Sequence, residues 1–159
     1  MSFLAKLYVG ESEFTVLSAE FSFTRPVDAQ NLPNGRLRGG IIDISLESGR
    51  EDHALISWIV SNGHRDGRLE FSRRDAAGSA QKTVTFSHAF CVYMKQFFMS
   101  DGAIPMILKI SISSHVIDID STSIENRWAG IESESGSGSS GSSSSDSDRS
   151  ATTNSVSFD

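Results

Sequence analysis

The sequence predicts a mainly β fold: a small β-barrel of short antiparallel strands with one flanking α-helix, one long extended loop and a disordered C-terminal tail. Apolar side chains recur at every second position through most of residues 1–128, as at Ile42 and Leu46, which is typical of half-buried strands. Turn pairs such as Asn34-Gly35 separate these runs. Seven or eight strands without alternating helices favour a barrel or a sandwich.

The strands are assigned in chain order from this alternation. The second strand is expected to place Leu17 and Phe21 towards the core, and a later strand does the same with Phe90 and Val92. Met106 opens the last clear run of alternating apolar residues. The predicted strands span 3–9, 17–24, 42–46, 67–74, 82–88, 90–94, 106–112 and 115–120.

One segment departs from the two-residue period. Between about 50 and 62, apolar side chains recur at helical spacing, which predicts an α-helix. Ser48 and Glu51 have the spacing of a capping box at its start, and Gly63 suits the left-handed residue that ends many helices. The face expected to pack on the sheet consists of Leu55, Trp58 and Ile59.

The connection at about 26–39 is long for so small a domain. It contains Pro26, Pro33 and the pair Gly39-Gly40, with few apolar side chains. Loops of this length often carry function. We interpret it either as an extension that docks on another copy of the chain or as a surface loop, and the residues alone favour neither.

Charge and composition divide the 159-residue chain into two parts. Residues 1–128 carry 13 basic and 15 acidic side chains, whereas residues 129–159 carry one basic and five acidic side chains. From Ser135 to Asp148 the sequence contains only serine, glycine and aspartate, which bury too little apolar surface to order a chain. We therefore predict a folded domain at 1–128 and a flexible Ser/Gly/Asp-rich tail at 129–159.

Composition also excludes several kinds of partner. The nearly neutral first part lacks the concentrated basic face of a nucleic-acid-binding protein. No apolar run approaches the ~18–20 residues of a membrane span, and the first ten residues lack the features of a signal peptide. We therefore expect a chain that is made in the cytoplasm, with no nucleic acid partner and no stable membrane insertion.

No catalytic residue, metal site or cofactor is predicted. The four histidines show no ligand spacing, and Cys91 lies in an apolar run where a buried, inert thiol is expected. The three residues from His64 match the His-Arg-Asp of a kinase catalytic loop, but the glycine-rich loop of that class is missing. Asp118 and Asp120 alternate on one strand and are expected to face solvent.

Short segments distributed along the chain carry a resemblance. They are Met1-Ser-Phe-Leu-Ala-Lys-Leu, Phe23-Thr-Arg-Pro-Val-Asp28, Gly39-Gly40-Ile-Ile-Asp-Ile-Ser-Leu-Glu-Ser48, Phe71-Ser-Arg-Arg-Asp75, Pro105-Met106 with Ile110-Ser-Ile-Ser113, and Glu125-Asn126-Arg127-Trp128. In this order, over nearly all of 1–128, they resemble the Hcp (TssD) family in the form found in Bacteroidetes. Members of this family are the tube proteins of type VI secretion systems.

This resemblance implies a structural subunit without catalytic activity. Members of the family form hexameric rings that stack into the inner tube of a contractile apparatus, beside sheath, spike and baseplate proteins. The tube carries effector proteins through a target envelope and leaves the cell without a signal peptide. Such a tube needs no cofactor.

The resemblance also implies which residues form contacts between subunits and rings. The loop at 26–39 occupies the position of the family's extended loop, which contacts the adjacent ring, and the last residues of the folded part match the family's C-terminal signature. The implied interface residues are Asp28, Asn34, Gly35, Arg36, Gly39, Glu125, Asn126 and Trp128.

Two alternative functions stay open at this point. The chain could be the tube protein of a related phage-like extracellular contractile injection particle, which would share the barrel. It could also be a β-barrel module that binds a carbohydrate or a single-stranded nucleic acid through aromatic side chains such as Tyr8 and Tyr93. The near-neutral charge of 1–128 argues against the nucleic acid version.

Overall fold

The computed structural model describes residues 3–74 and 80–128, so the tail predicted at 129–159 lies outside the described residues. Within the described part, seven strands and one helix follow one another, and the prediction of a mainly β fold is confirmed. Their bounds are β1 Phe3–Val9, β2 Ser12–Thr24, β3 Arg38–Glu47, α1 Asp52–Ser61, β4 Arg65–Arg73, β5 Ala80–Phe98, β6 Met106–Ile119 and β7 Thr122–Glu125.

The strands form one antiparallel sheet that closes on itself. The strand order is β3-β2-β1-β4-β5-β6-β7, and β3 also pairs with β6. In that closing pair Ile42 lies opposite Ile112, and Leu46 lies opposite Leu108. Because β3 pairs with β6, each of the six strands β1 to β6 has a neighbouring strand on both sides. Strand β7 pairs with the last part of β6.

Inward-pointing side chains at alternate positions fill the barrel. Ile42 and Leu46 of β3 are fully buried, as the sequence predicts, and so are Phe86 of β5 and Trp58 of α1. The indole of Trp58 donates a hydrogen bond to the carbonyl of Gly63 at 2.8 Å. Burying a large apolar side chain contributes about 1.5–3 kcal/mol, so this core is the main source of stability.

Two pairs of predicted short strands are each one continuous strand. The separation of 82–88 from 90–94 is wrong, because β5 continues through both segments. The separation of 106–112 from 115–120 is also wrong, because β6 continues through both. Strands β5 and β6 pair with each other along almost their whole length. Each strand therefore continues through the residues where its own apolar alternation is interrupted, because its partner supplies the backbone hydrogen bonds there. The short strand β7 had no alternating apolar pattern and was not expected.

Bulges explain the positions where the predicted core face is wrong. The pairing register shifts after Val16 in β2 and after Cys91 in β5, and an extra residue in a bulge reorients the local side chains. Leu17 and Val92 were expected in the core, but they are 39% and 55% exposed. Met106 is also exposed, because it lies at the first position of β6, at the end of the barrel.

The helix α1 agrees with the predicted helix to within two residues, but its ends are built differently. The predicted capping box is wrong, because the side chain of Glu51 caps nothing and the hydroxyl of Ser48 donates to the carboxylate of Asp52 instead. At the other end Asn62, not Gly63, takes the left-handed conformation, with φ at 50°. No helix in residues 3–74 and 80–128 is long and apolar enough to cross a membrane.

Candidate assembly surface

The connection between β2 and β3 is an internally hydrogen-bonded extension. Val27 and Pro33 form a β-bridge between its two limbs, and the amide of Asn34 donates to the carbonyl of Pro26 at 2.8 Å. The carboxylate of Asp28 accepts two backbone amides of the same loop, each at 2.9 Å. Asp28 and Asn34, both predicted as interface residues, therefore shape the loop.

The C-terminal end of the described chain docks beside the start of β3. The backbone amide of Asn126 donates to the carbonyl of His115 at 2.7 Å, and its side-chain amide donates to the carbonyl of Ser114 at 2.9 Å. Gly40 has a φ of 99°, and a Cβ at this position would overlap the Asn126 amide and lie 3.0 Å from the Ser114 carbonyl oxygen. Glycine at position 40 therefore permits this docking.

A cavity of about 640 Å³ lies where the loop meets the C-terminal end. Six of the eight predicted interface residues line it: Gly35, Arg36, Gly39, Glu125, Asn126 and Trp128. The other lining residues are Arg25, Leu37, Arg38 and Arg127. Gly39 belongs to β3, opposite Phe23, and not to the loop in which it was predicted. We call this site the arginine cavity after its four arginines.

Trp128 closes one side of the arginine cavity by packing on its own barrel. Its ring centroid lies 5.8 Å from that of Phe90 and 5.4 Å from that of His115. The imidazole of His115 is almost fully buried, and its Nε2 atom has no hydrogen-bond partner in the described part of the chain. Oε1 of Glu125 lies 3.8 Å from that atom, which is too far for a hydrogen bond.

Three histidines, one from the connection between α1 and β4 and two from β5 and β6, form a row that ends at this site. The ring centroids of His64 and His88 are 5.0 Å apart, and those of His88 and His115 are 6.3 Å apart. Sequence spacing did not reveal the row, because strand pairing brings the three positions together. No group of three or more His, Cys, Asp or Glu residues within 3–74 and 80–128 is arranged to hold a metal ion.

Solved structures show the same fold in Hcp proteins. Hcp1 from Flavobacterium johnsoniae is 27% identical, with a TM-score of 0.73 over 77% of this chain and 99% of that one. Hcp1 from Salmonella typhimurium is 15% identical, with a TM-score of 0.62 over 74% of this chain and 85% of that one. The secreted protein Hcp3 from Pseudomonas aeruginosa is 12% identical, with a TM-score of 0.54 over 80% and 99%. No curated protein sequence matches the chain.

The sequence match decides the family. The family model of hemolysin coregulated protein Hcp (TssD) matches residues 1–129. The chain belongs to the Hcp family. The resemblance read from the sequence is therefore confirmed, and the ligand-binding module is not supported. Hcp proteins form hexameric rings stacked into the tube of the type VI secretion system and are secreted components of that system. This chain is therefore a structural tube subunit and not an enzyme.

Proposed function

We propose that this Hcp subunit contacts the adjacent ring of the tube through the loop between β2 and β3 and through the arginine cavity. One observation carries the proposal. Two segments that resemble the family's contact regions, around Arg36 and around Asn126, are distant in sequence but line the same cavity. The docking of Asn126 against Ser114 holds the second segment beside the first.

Exposed apolar side chains on the loop support a protein partner. Val27 is 58% exposed and Leu32 is 61% exposed, although the hydrogen bonds of Asp28 hold the backbone between them. An ordered loop that presents apolar groups to water gains stability when a partner covers them. The loop backbone is therefore already ordered before a partner binds.

Photo-crosslinking of assembled tubes tests this surface. A photoreactive residue replaces Leu32 in one variant and Val60, which is 79% exposed on α1, in the matched control. We expect crosslinks between copies of the chain from position 32, and substantially fewer from position 60. Equal yields of chain-to-chain crosslinks from both positions would contradict the proposed surface.

We propose further that residues 1–128 suffice for ring closure and that 129–159 form a separate tail. The support is that the seven strands and one helix within residues 3–74 and 80–128 already form a closed sheet, and that the family model matches residues 1–129. Comparing the full chain with a version ending at Trp128 tests this division. Hexameric rings from both chains are expected, whereas a truncated chain that stays monomeric would make the tail part of the tube domain.

The remaining partners are proposed from the family. We propose that the tube forms in the cytoplasm, contacts sheath, spike and baseplate proteins, carries effector proteins, and leaves the cell through the apparatus. The family match over residues 1–129 supports this assignment. Deleting the sheath gene should retain the chain inside the cell, and undiminished release into the medium would contradict this route of export.

A further inference from the structure

The arginine cavity concentrates positive charge in a chain whose net charge is −6. Four of its ten lining residues are arginines, and Glu125 is the one lining carboxylate. Among residues 3–74 and 80–128, no carboxylate forms an ion pair with any of these four guanidinium groups. The guanidinium groups are exposed and remain available to carboxylates from another molecule. The four arginines are Arg25, Arg36, Arg38 and Arg127.

The other end of the barrel carries exposed carboxylates. The hydroxyl of Ser12 donates to the carboxylate of Glu51 at 3.4 Å, which places the β1–β2 turn beside the start of α1. The amide of Ser48 donates to the carbonyl of Met106 at 3.1 Å, which adds the β5–β6 hairpin to the same end. The exposed carboxylates of this acidic end are Glu11, Glu47, Glu51 and Asp101. They exceed the cations there by one, because Arg50 lies at the same end and the exposed Lys95 and Lys109 lie three residues from the ends of β5 and β6.

Strand β3 connects the two charged ends directly. It begins at Arg38, which lines the arginine cavity, and ends at Glu47, which belongs to the acidic end. A strand rises about 3.3 Å per residue, so these two residues are separated by roughly 30 Å. Carboxylates at that distance do not neutralise the cavity of their own chain, because it exceeds the screening length of about 8 Å at physiological salt.

We propose that the arginine cavity receives the acidic end of a second copy of this chain, so that opposite charges set the polarity and the salt dependence of ring stacking. This inference rests on the proposed function, because it names the partner of the same surface. A contact between two different surfaces is heterologous, and it repeats along an axis without closing. Two arginine cavities, or two acidic ends, would repel each other.

Apolar groups match across the same contact. The loop beside the cavity exposes Val27 and Leu32, and the acidic end exposes Phe98, Met99 and Met106. Burial of these groups between two copies adds an attraction that is not directional. The charges then decide which ends meet, since the apolar groups occur at both ends.

A charge-swap experiment on the full-length chain tests the inference. One variant carries Arg36→Glu with Arg38→Glu, and the other carries Glu11→Arg with Glu47→Arg. Each variant alone presents like charges at both ends, so the association constant between its rings should fall about a hundredfold or more. In an equimolar mixture, rings alternate and every contact again joins opposite charges, so stacking should return to near the wild-type level.

A matched control separates local charge from net charge. The pair Lys95→Glu with Lys109→Glu alters the net charge by the same amount as the arginine variant, but it adds the negative charge near the acidic end, because Lys109 lies opposite Ser45 and pairs with Lys95. Its rings should stack at least as well as those of the wild type. The inference is overturned if this control weakens stacking as much as the arginine variant does, or if the mixture of the two charge-swap variants stacks no better than either alone.

A second test uses the wild-type chain and does not depend on the folding of any variant. Raising the salt from about 0.05 M to about 0.5 M shortens the screening length several-fold and should reduce stacking of wild-type rings at least tenfold. Rings that form but stack equally well at both salt concentrations would overturn the charge inference and leave the proposed surface intact. If position 32 gives no crosslinks between chains, the proposed contact surface itself is contradicted.

Discussion

The body of the barrel and the end that carries the loop are stabilised by different forces. In the body, Phe86 and Trp58 are fully buried, and stability comes from apolar surface removed from water. At the loop end, the structure depends on a few hydrogen bonds: the Asp28 carboxylate accepts two amides of the loop, and Asn126 donates one hydrogen bond to Ser114 and one to His115. The contrast teaches that the fold and the assembly surface are separable, so that a change at one end should leave the other intact.

The largest expected effect lies in the body. Trp58→Ala removes a fully buried indole and its hydrogen bond to Gly63, and it should lower the free energy of unfolding by about 3–5 kcal/mol. Urea denaturation followed by circular dichroism measures the loss. Val60→Ala on the same helix is the control, and an exposed position should change stability by no more than about 0.5 kcal/mol. Similar losses of unfolding free energy for both variants would contradict the claim that the buried core stabilises the body of the barrel.

The next effect lies where body and loop end meet. Gly40→Ala forces a side chain into a left-handed conformation and against the Asn126 amide, and it should cost about 1–3 kcal/mol of stability. Gly49→Ala is the control, because a Cβ there meets nothing within 4 Å and its φ is not left-handed. Equal stability of the two variants in thermal unfolding would show that the C-terminal end does not depend on Gly40.

A smaller effect separates folding from assembly at adjacent residues. Asn126→Ala loses the hydrogen bond to Ser114 and should cost about 1 kcal/mol. Arg127→Ala, at an exposed position without an ion pair in the described chain, should leave stability unchanged but weaken ring stacking. Denaturant unfolding and sedimentation measure the two quantities. The distinction fails if Arg127→Ala lowers stability as much as Asn126→Ala does.

The smallest effect concerns the thiol in the body. Burial raises the pKa of Cys91, and a backbone hydrogen bond with Tyr93 offsets part of this increase. The native chain therefore holds the thiol proton more tightly than the unfolded chain, so stability should fall slightly as pH rises past the ordinary thiol pKa of 9.0. Comparing unfolding between pH 7 and pH 10 for wild type and Cys91→Ala tests this. An identical pH dependence in both would contradict it.

Much of the body could be predicted from the sequence, because burial on one face of a strand imposes a period of two. Ile42 and Leu46 illustrate this. Leu17 and Val92 could not be predicted, because a bulge depends on the partner strand and not on the local sequence. The short strand β7 had no apolar period of its own, since it forms only by pairing with β6.

Less of the loop end could be predicted from the local sequence. The likeness to the Hcp family singled out the residues around Arg36 and Asn126, but only the pairing of β3 and β6 brings these segments to one cavity. The role of Gly40 was also hidden, because it depends on the position of an amide from the far end of the domain. The row formed by His64, His88 and His115 has the same origin.

The central claim is that this chain is a tube subunit that assembles through its exposed surfaces. Light scattering of the purified full-length chain, combined with negative-stain imaging, tests it most directly. We predict rings with a mass of about 103 kDa, which is six copies of the 17.2 kDa chain. A particle that keeps the mass of one chain at high concentration, without rings in the images, would contradict the claim.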